Sequence, residues 1–267
     1  MTQPIRLAIN GASGRMGRAL LALIREDGRF ELVSALVSKS SAHNGAPVFP
    51  ELPSLLRYSD EWDAIAADVV IDFSGPDGLA SAIAYCVAHD AALVTGTTGI
   101  DASLQTKLDE ASQRIPLLHA TNFSLGVAVL KRLLRQAAAA LPDWDLEIIE
   151  AHHNRKEDAP SGTALTLGHA AAEARGTTLA KDAVYTREGR PGARRSGSIG
   201  FAVVRGGDVV GEHTALLLGQ GECVELSHRA TDRSIFARGA LEAAAWLAGR
   251  KPGSYDIDDM LQARVAG

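Results

Sequence analysis

The sequence predicts an α/β fold: an N-terminal parallel sheet with helices on both faces, then a second α+β domain with an open mixed sheet. Three observations carry this expectation. Up to residue 123, short apolar runs alternate with helix-length amphipathic segments, the pattern of strands each followed by a covering helix. A glycine-rich turn joins the first run to the first helix. Beyond Gly197 the pattern changes to strand-like segments separated by glycine-rich turns.

The elements follow in order. IRLAIN reads as the first strand and RMGRALLALIRE as its helix; ELVSALV is a second strand. DVVIDF and GLASAIAYCVAH form the next strand–helix pair, ALVTG and ASLQTKLDEASQ another, and PLLHA a fifth strand. After residue 124, SLGVAVLKRLLRQAAAAL predicts a long helix stopped by Pro142, since proline cannot continue a helix. LEIIEA is a strand and TALTLGHAAAEA a helix. SIGFAVVR, DVVGEHTALLL and CVELSHRA are strands, and the turns RGGD and GQGE between them predict two antiparallel hairpins. The alanine-rich SIFARGALEAAAWLAG is expected to pack back on the first half.

Composition narrows the function. With 267 residues and 46% hydrophobic content, the chain can bury a large core. A net charge of −5 argues against a broad nucleic-acid surface, so a small-molecule partner is expected. No apolar run reaches the ~20 residues that span a bilayer, and MTQPIRLAING leads into a strand without a secretory segment; no membrane association and a cytoplasmic location are expected. Cys86 and Cys223 are far apart and expected to be two buried thiols, with no disulfide and no structural metal.

The motif INGASGRMG places Gly11, Ala12, Ser13, Gly14, Arg15 and Met16 where a strand turns into a helix. Glycines let the backbone turn tightly, and free N–H groups at the positive helix end suit a pyrophosphate. This points to a Rossmann-type dinucleotide site, although the spacing is GxxGxxG rather than GxGxxG. The second strand ends in Ser38 and Lys39, where an acidic residue would bind the ribose of NAD; a lysine and hydroxyls there suit the 2'-phosphate of NADPH, and NADH use stays open. Gly96, Thr97 and Thr98, and then Ala120, Thr121, Asn122 and Phe123, follow later strands and are expected near the ribose and nicotinamide, Phe123 being equally suited to the core.

The segment EAHHNRKEDAPSGTAL carries the chemistry. His152 and His153 end a strand and point to opposite faces, so they serve different purposes: one donates a proton and the other binds. Lys156 supplies fixed positive charge or completes a proton relay. Ser161, Gly162 and Thr163 open a helix whose N-terminal N–H groups form a carboxylate site. Metal ligation by Glu150, His152 and His153 is disfavoured because the spacing lacks HExxH, and a nucleophilic Ser161 because there is no G-x-S-x-G elbow.

NGASGRMGR, DFSGP, TGTTG, ATNFSLGV, EIIEAHHNRKEDAPSGTAL and IGFAVVRGGDVVGEHT together resemble the 4-hydroxy-tetrahydrodipicolinate (dihydrodipicolinate) reductase family over nearly the whole chain. The resemblance implies hydride transfer from NADPH or NADH to a small cyclic dicarboxylate in diaminopimelate and lysine synthesis. It implies His152 as proton donor with Lys156 as second catalytic group, and substrate contacts at His153, Gly162 and Thr163. It places the cofactor along Gly11–Met16, Gly96–Thr98 and Ala120–Phe123. It further implies a dinucleotide-binding domain of residues 1–123 and 234–267, a substrate-binding and oligomerisation domain of residues 124–233, and a homotetramer; with acid and hydride source on different domains, closure over the substrate is expected. Two alternatives remain: another two-domain reductase of aspartate-derived substrates, and an NADPH-binding sensor without catalysis.

Overall fold

The computed structural model describes residues 3–51, 56–62 and 66–266. In chain order its elements are β1 (Ile5–Asn10), α1 (Arg15–Ile24), β2 (Phe30–Leu36), β3 (Tyr58–Ser59), β4 (Val69–Asp72), α2 (Pro76–His89), β5 (Ala92–Thr95), α3 (Ala102–Ser112) and β6 (Pro116–His119). There follow α4 (Leu125–Ala140), β7 (Asp145–His152), α5 (Gly162–Ala174), α6 (Leu179–Asp182), β8 (Ala183–Val184), β9 (Ile199–Arg205), β10 (Gly211–Leu218) and β11 (Cys223–Ala230). The chain closes with α7 (Ser234–Leu247), β12 (Gly253–Tyr255) and α8 (Ile257–Ala266). Two compact units result, Met1–Phe123 with Ser234–Gly267, and Ser124–Arg233.

In the first unit the described strands form one sheet in the order β12-β6-β5-β4-β1-β2-β3, and every pairing is parallel. Such a sheet is stable only with both faces covered, and the residues supply both covers. Ala8, Val70, Leu93 and Leu117 pack with Leu79 and Ile83 of α2 and Leu104 and Leu108 of α3. Their strand neighbours Leu7, Ile9, Ile71 and Val94 are equally buried and point the other way, toward the side where α7 packs on β4, β5 and β6 and also against α1. The closing helix therefore returns to the first sheet, as its apolar alanine face predicts. Strand order reverses between β1 and β4, which opens a crevice beyond their carboxyl ends.

In the second unit the sheet order is β11-β10-β7-β9-β8. The β7–β10 and β10–β11 pairs are antiparallel, whereas β7–β9 and β8–β9 are parallel. The GQGE turn does close a hairpin, β10–β11. The RGGD turn does not: β9 and β10 lie on opposite edges of β7 and never pair. The connection from Gly206 to Val210 instead passes the carboxyl end of β7, a span of two strand spacings, about 10 Å, which five residues cover easily. Glycines allow a crossing as readily as a hairpin, which is why the turn composition misleads.

One face of this sheet carries the core of the unit. Leu146 and Ile148 of β7, Ile199 and Phe201 of β9, and Ala215 and Leu217 of β10 pack under Leu130 and Leu134 of α4 and Leu167 and Ala171 of α5. The other face is open, with Ile149, Val204 and Leu218 exposed. Cys86 is buried as expected, but Cys223 is exposed, because it starts an edge strand and points to the open face. No helix among the described residues is long and apolar enough to cross a membrane.

Candidate active site

Two clusters of the expected residues form, one in each unit. In the first, the end of β1 turns through Gly11 at φ +81°, a left-handed conformation in which a side chain is strained. Space demands glycine as well, since a Cβ there would stand 2.6 Å from the Phe73 carbonyl oxygen. The N–H groups of Gly11 and Ala12 donate to Leu36 O at 3.0 and 2.8 Å, so the turn is pinned to the end of β2. Helix α1 then starts with Gly14 as N-cap and no side-chain cap. Its first donor into the helix turn is Arg18 N–H, to Gly14 O at 2.9 Å. The Gly14 N–H donates to Gly11 O at 3.0 Å, and the N–H groups of Arg15, Met16 and Gly17 lack helical acceptors, as at any helix start, at the positive end of the helix. This cradle fits a dinucleotide pyrophosphate, which needs N–H donors and no intervening side chain.

Beneath the turn lies a buried carboxylate that the sequence reading passed over. Asp72, fully buried at the end of β4, receives Asn10 Nδ2–H at 2.8 Å and Ser74 Oγ–H at 2.5 Å on one oxygen. On the other it receives the Thr95 and Thr97 hydroxyls at 2.8 and 2.7 Å. Asn10, Asp72 and Thr95 are the last residues of three adjacent strands, so one side chain ties the glycine turn to the TGTTG loop. Thr97 is thereby committed to the protein, while Thr98 is exposed and Gly96 lies against the Phe73 ring with no room for a Cβ. Phe123 is buried and meets Phe73 edge-on at 5.3 Å, which places it in the core; Ala120 and Asn122 are half-buried and Thr121 exposed beside it. Ser38 and Lys39 are exposed just past β2, and the Ser38 and Ser40 hydroxyls lie 3.5 Å apart.

In the second unit, β7 places Glu150 and His152 on the face that the helices cover, and His153 beyond its end. His152 Nδ1 is 2.6 Å from Glu150 Oε2. Arg205, the last residue of β9, grips the same carboxylate with both terminal nitrogens at 2.8 Å, and Ser161 N–H donates to Oε1 at 2.9 Å. Burial would raise the Glu150 carboxyl, but Arg205, His152 and the Ser161 N–H together outweigh it and hold the group below the usual glutamate value. Ser161 caps α5 by accepting Ala164 N–H at 3.2 Å, and its hydroxyl meets His213 Nε2 at 3.0 Å. Burial first, and then the charge of a protonated His152, push His213 down to about 4. Its ring stands edge-on to that of His152, with centroids 5.2 Å apart.

The remaining expected residues surround this core. His153 Nδ1 accepts Arg155 N–H at 3.2 Å, so the neutral ring carries its proton on Nε2, ready to donate. Desolvation, followed by the cations Arg233 and Arg155, lowers His153 below the usual histidine value. Lys156 Nζ binds Asp158 at 2.7 Å. Gly162 and Thr163 form the first turn of the 13-residue helix α5, and nothing lies within 4 Å of where a Gly162 side chain would be. Gly211 allows the His152 ring its place: a Cβ there would come within 3.1 Å of Nε2. Glu150 engages the other ring nitrogen, Nδ1. Sequence reasoning missed Arg205, His213 and Arg233, and gave Glu150 no role beyond a disfavoured metal ligand. The alternation of LEIIEAH, which puts Glu150 on the same face as Leu146 and Ile148, held a signal for Glu150; Arg205 became visible only with the parallel pairing of β9. Among the described residues no group of three or more His, Cys, Asp or Glu is placed to hold a metal ion.

Comparison with known proteins decides the family. The dihydrodipicolinate reductase family matches in two parts, its N-terminus over residues 5–123 and its C-terminus over residues 126–261. The chain belongs to the dihydrodipicolinate reductase family. It is 48% identical to the 4-hydroxy-tetrahydrodipicolinate reductase of Xanthomonas campestris pv. campestris over 263 residues, covering 97% of this chain and 99% of that one. It is 45% identical to the reductase of the same name from Caulobacter vibrioides, covering 98% of each chain. Among solved structures, the dipicolinate-bound dihydrodipicolinate reductase from Paenisporosarcina sp. TG-14 is similar in fold, with a TM-score of 0.77 at 24% identity, covering 95% of this chain and 97% of that one.

Proposed function

We propose that the chain reduces 4-hydroxy-2,3,4,5-tetrahydrodipicolinate to tetrahydrodipicolinate with NADPH or NADH, in diaminopimelate and lysine synthesis. The observation that carries this reading is the match to one reductase family over both units, in a chain that keeps the HHNRKEDAPSGT segment whole. The nicotinamide supplies the hydride when bound. Gly11, Ala12, Ser13, Gly14, Arg15 and Met16 form the turn and helix start that hold its pyrophosphate. Ser38 and Lys39 receive the 2'-phosphate of NADPH, and Gly96, Thr97, Thr98, Ala120, Thr121, Asn122 and Phe123 shape the ribose and nicotinamide end.

His152 gives the proton, from Nε2, the ring nitrogen not already engaged by Glu150. Lys156 exchanges Asp158 for a substrate carboxylate and offsets the negative charge that develops as hydride arrives. His153 donates its Nε2–H to the same anionic substrate, and the N–H groups of Gly162 and Thr163 at the start of α5 hold a carboxylate, with Ser161 fixing that helix end. Pairing residues 1–123 and 234–267 as the dinucleotide-binding domain with 124–233 as the substrate domain follows from this division of labour. The open sheet face with Ile149, Val204 and Leu218 supports assembly of copies into a homotetramer, and a small soluble biosynthetic substrate supports work in the cytoplasm.

The test is NADPH absorbance in the presence of the condensation product of pyruvate and aspartate semialdehyde, with NADH run in parallel. Oxidation that depends on that product is expected. NADPH binding without oxidation would identify a sensor instead.

A further inference from the structure

We propose that Glu150, clamped by Arg205 and the Ser161 N–H, is a positioning residue that fixes the tautomer and aim of His152. This rests on the reading of His152 as proton donor and extends it to a residue that touches neither substrate nor cofactor in that reading. The geometry is specific. Glu150 lies on the same strand and same face as His152, two residues away, and its Oε2 stands 2.6 Å from Nδ1. An ionised carboxylate only accepts, so Nδ1 must carry a proton and Nε2 becomes the nitrogen that gains and loses one.

The carboxylate itself cannot turn. Arg205 grips both oxygens at 2.8 Å, and Ser161 N–H adds a third direction at 2.9 Å. Three separate stretches of the chain thus meet on one group: the end of β7, the end of β9 and the start of α5. Arg205 reaches it only because β9 runs parallel to β7, which pairs His152 with Arg205 in register. Arg205 is held in turn by the Asp158 carbonyl at 2.7 Å, within the segment that carries Lys156.

The charged and titrating groups around the His152 ring are Glu150 on its own strand, Arg205 behind Glu150, His213 edge-on from β10, and His153, Arg155 and Lys156 in the loop that follows. His228 on β11 acts on His213. Among these Glu150 is the only anion bonded to the ring, so its removal favours the neutral imidazole. When the proton leaves Nε2, the Nδ1–H stays with Glu150 and the ring ends as one defined neutral tautomer.

Two measurements test this. In the wild-type protein, nitrogen-15 NMR of the His152 ring above its titration should show Nδ1–H as the dominant neutral form; a dominant Nε2–H form overturns the proposal whatever the variants do. In Glu150→Gln, kcat with NADPH and the condensation product should fall about 10- to 100-fold, and the alkaline limb of kcat/KM should move down by about one pH unit, with NADPH affinity within about twofold. Added to His152→Gln, the same change should cost nothing further, since it acts through that ring. Wild-type kcat and an unmoved limb in Glu150→Gln, with His152→Gln inactive, overturn the role of Glu150 alone. An active His152→Gln overturns the proton-donor reading instead. Should Glu150→Gln fail to fold, Glu150→Asp keeps the charge for Arg205 and withdraws it from the ring, and the same loss in kcat is expected.

Discussion

Asp72 and Glu150 are the same device used for two ends. Each is buried at or near the carboxyl end of a strand, and each takes four donors, two on each oxygen. Their partners differ. Asp72 is met by an amide and three hydroxyls, all neutral and all from strand ends and loops of the first unit. Glu150 is met by a guanidinium, a backbone N–H and an imidazole. Neutral donors fix shape without adding a charge, which suits a platform for a coenzyme. A charged clamp that includes an imidazole holds that ring in one orientation. A buried carboxylate is therefore no sign of catalysis by itself; the character of its partners separates a structural brace from a group that positions an imidazole.

The strongest way to break the comparison is Asp72→Ala, which leaves the buried hydroxyls of Thr95 and Thr97 without their acceptor, while Asn10 keeps the Gly78 carbonyl. It should destabilise the first unit by about 3 kcal/mol and weaken NADPH binding, while leaving the His152 ring signal of the second unit unchanged. Urea unfolding followed by coenzyme titration checks both, and a shifted His152 signal would show that the two networks are not separate.

The acid side of the comparison sharpens with His213. Its folded value of about 4 lies below the ordinary 6.5, so between those values the unfolded chain binds more protons and stability rises with pH. The contribution is complete above about 6.5 and is lost as pH falls toward 4, on the order of 3 kcal/mol in all. Glu150, also lowered, contributes above its usual 4.5 and loses that only as pH falls further, through its folded value, so the His213 loss comes first. Unfolding free energies from pH 7.5 to 4.5 should show this slope, and His213→Asn should flatten it.

Much of this was legible in the residues. Alternating apolar runs and helices predicted that the first sheet is parallel, because such a sheet needs both faces covered, and INGASGRMG predicted the turn, where only glycine fits over the Phe73 carbonyl. Alternation within β7 put Glu150 and His152 on one face, while the strand ends at His152 and leaves His153 in the loop beyond. What stayed hidden was partnership. A strand's periodicity tells which way a side chain points and says nothing of which strand lies beside it, so the parallel β9 and its Arg205 were read as half of a hairpin. Cys223 was misread for a related reason: burial of a strand residue depends on whether its face is covered. The short strands β3, β8 and β12 carry too few residues for a period to register.

Smaller effects sharpen the charged features further. Lys156→Ala should raise KM for the dicarboxylate and lower kcat together, each by about 10-fold, with NADPH affinity kept; equal loss of coenzyme binding would point to general damage. Lys39→Ala should raise KM for NADPH by about fivefold and leave that for NADH unchanged, the size of one exposed charge contact. Equal changes with both coenzymes would remove Lys39 from the 2'-phosphate.

The most direct measurement is His152→Gln, assayed for turnover and for NADPH affinity on the same preparation. A loss of about 1000-fold in kcat with the NADPH dissociation constant within about twofold of wild type is predicted. Turnover close to wild type, or a loss of coenzyme binding that matches the loss of turnover, would contradict the assignment of the proton to this ring.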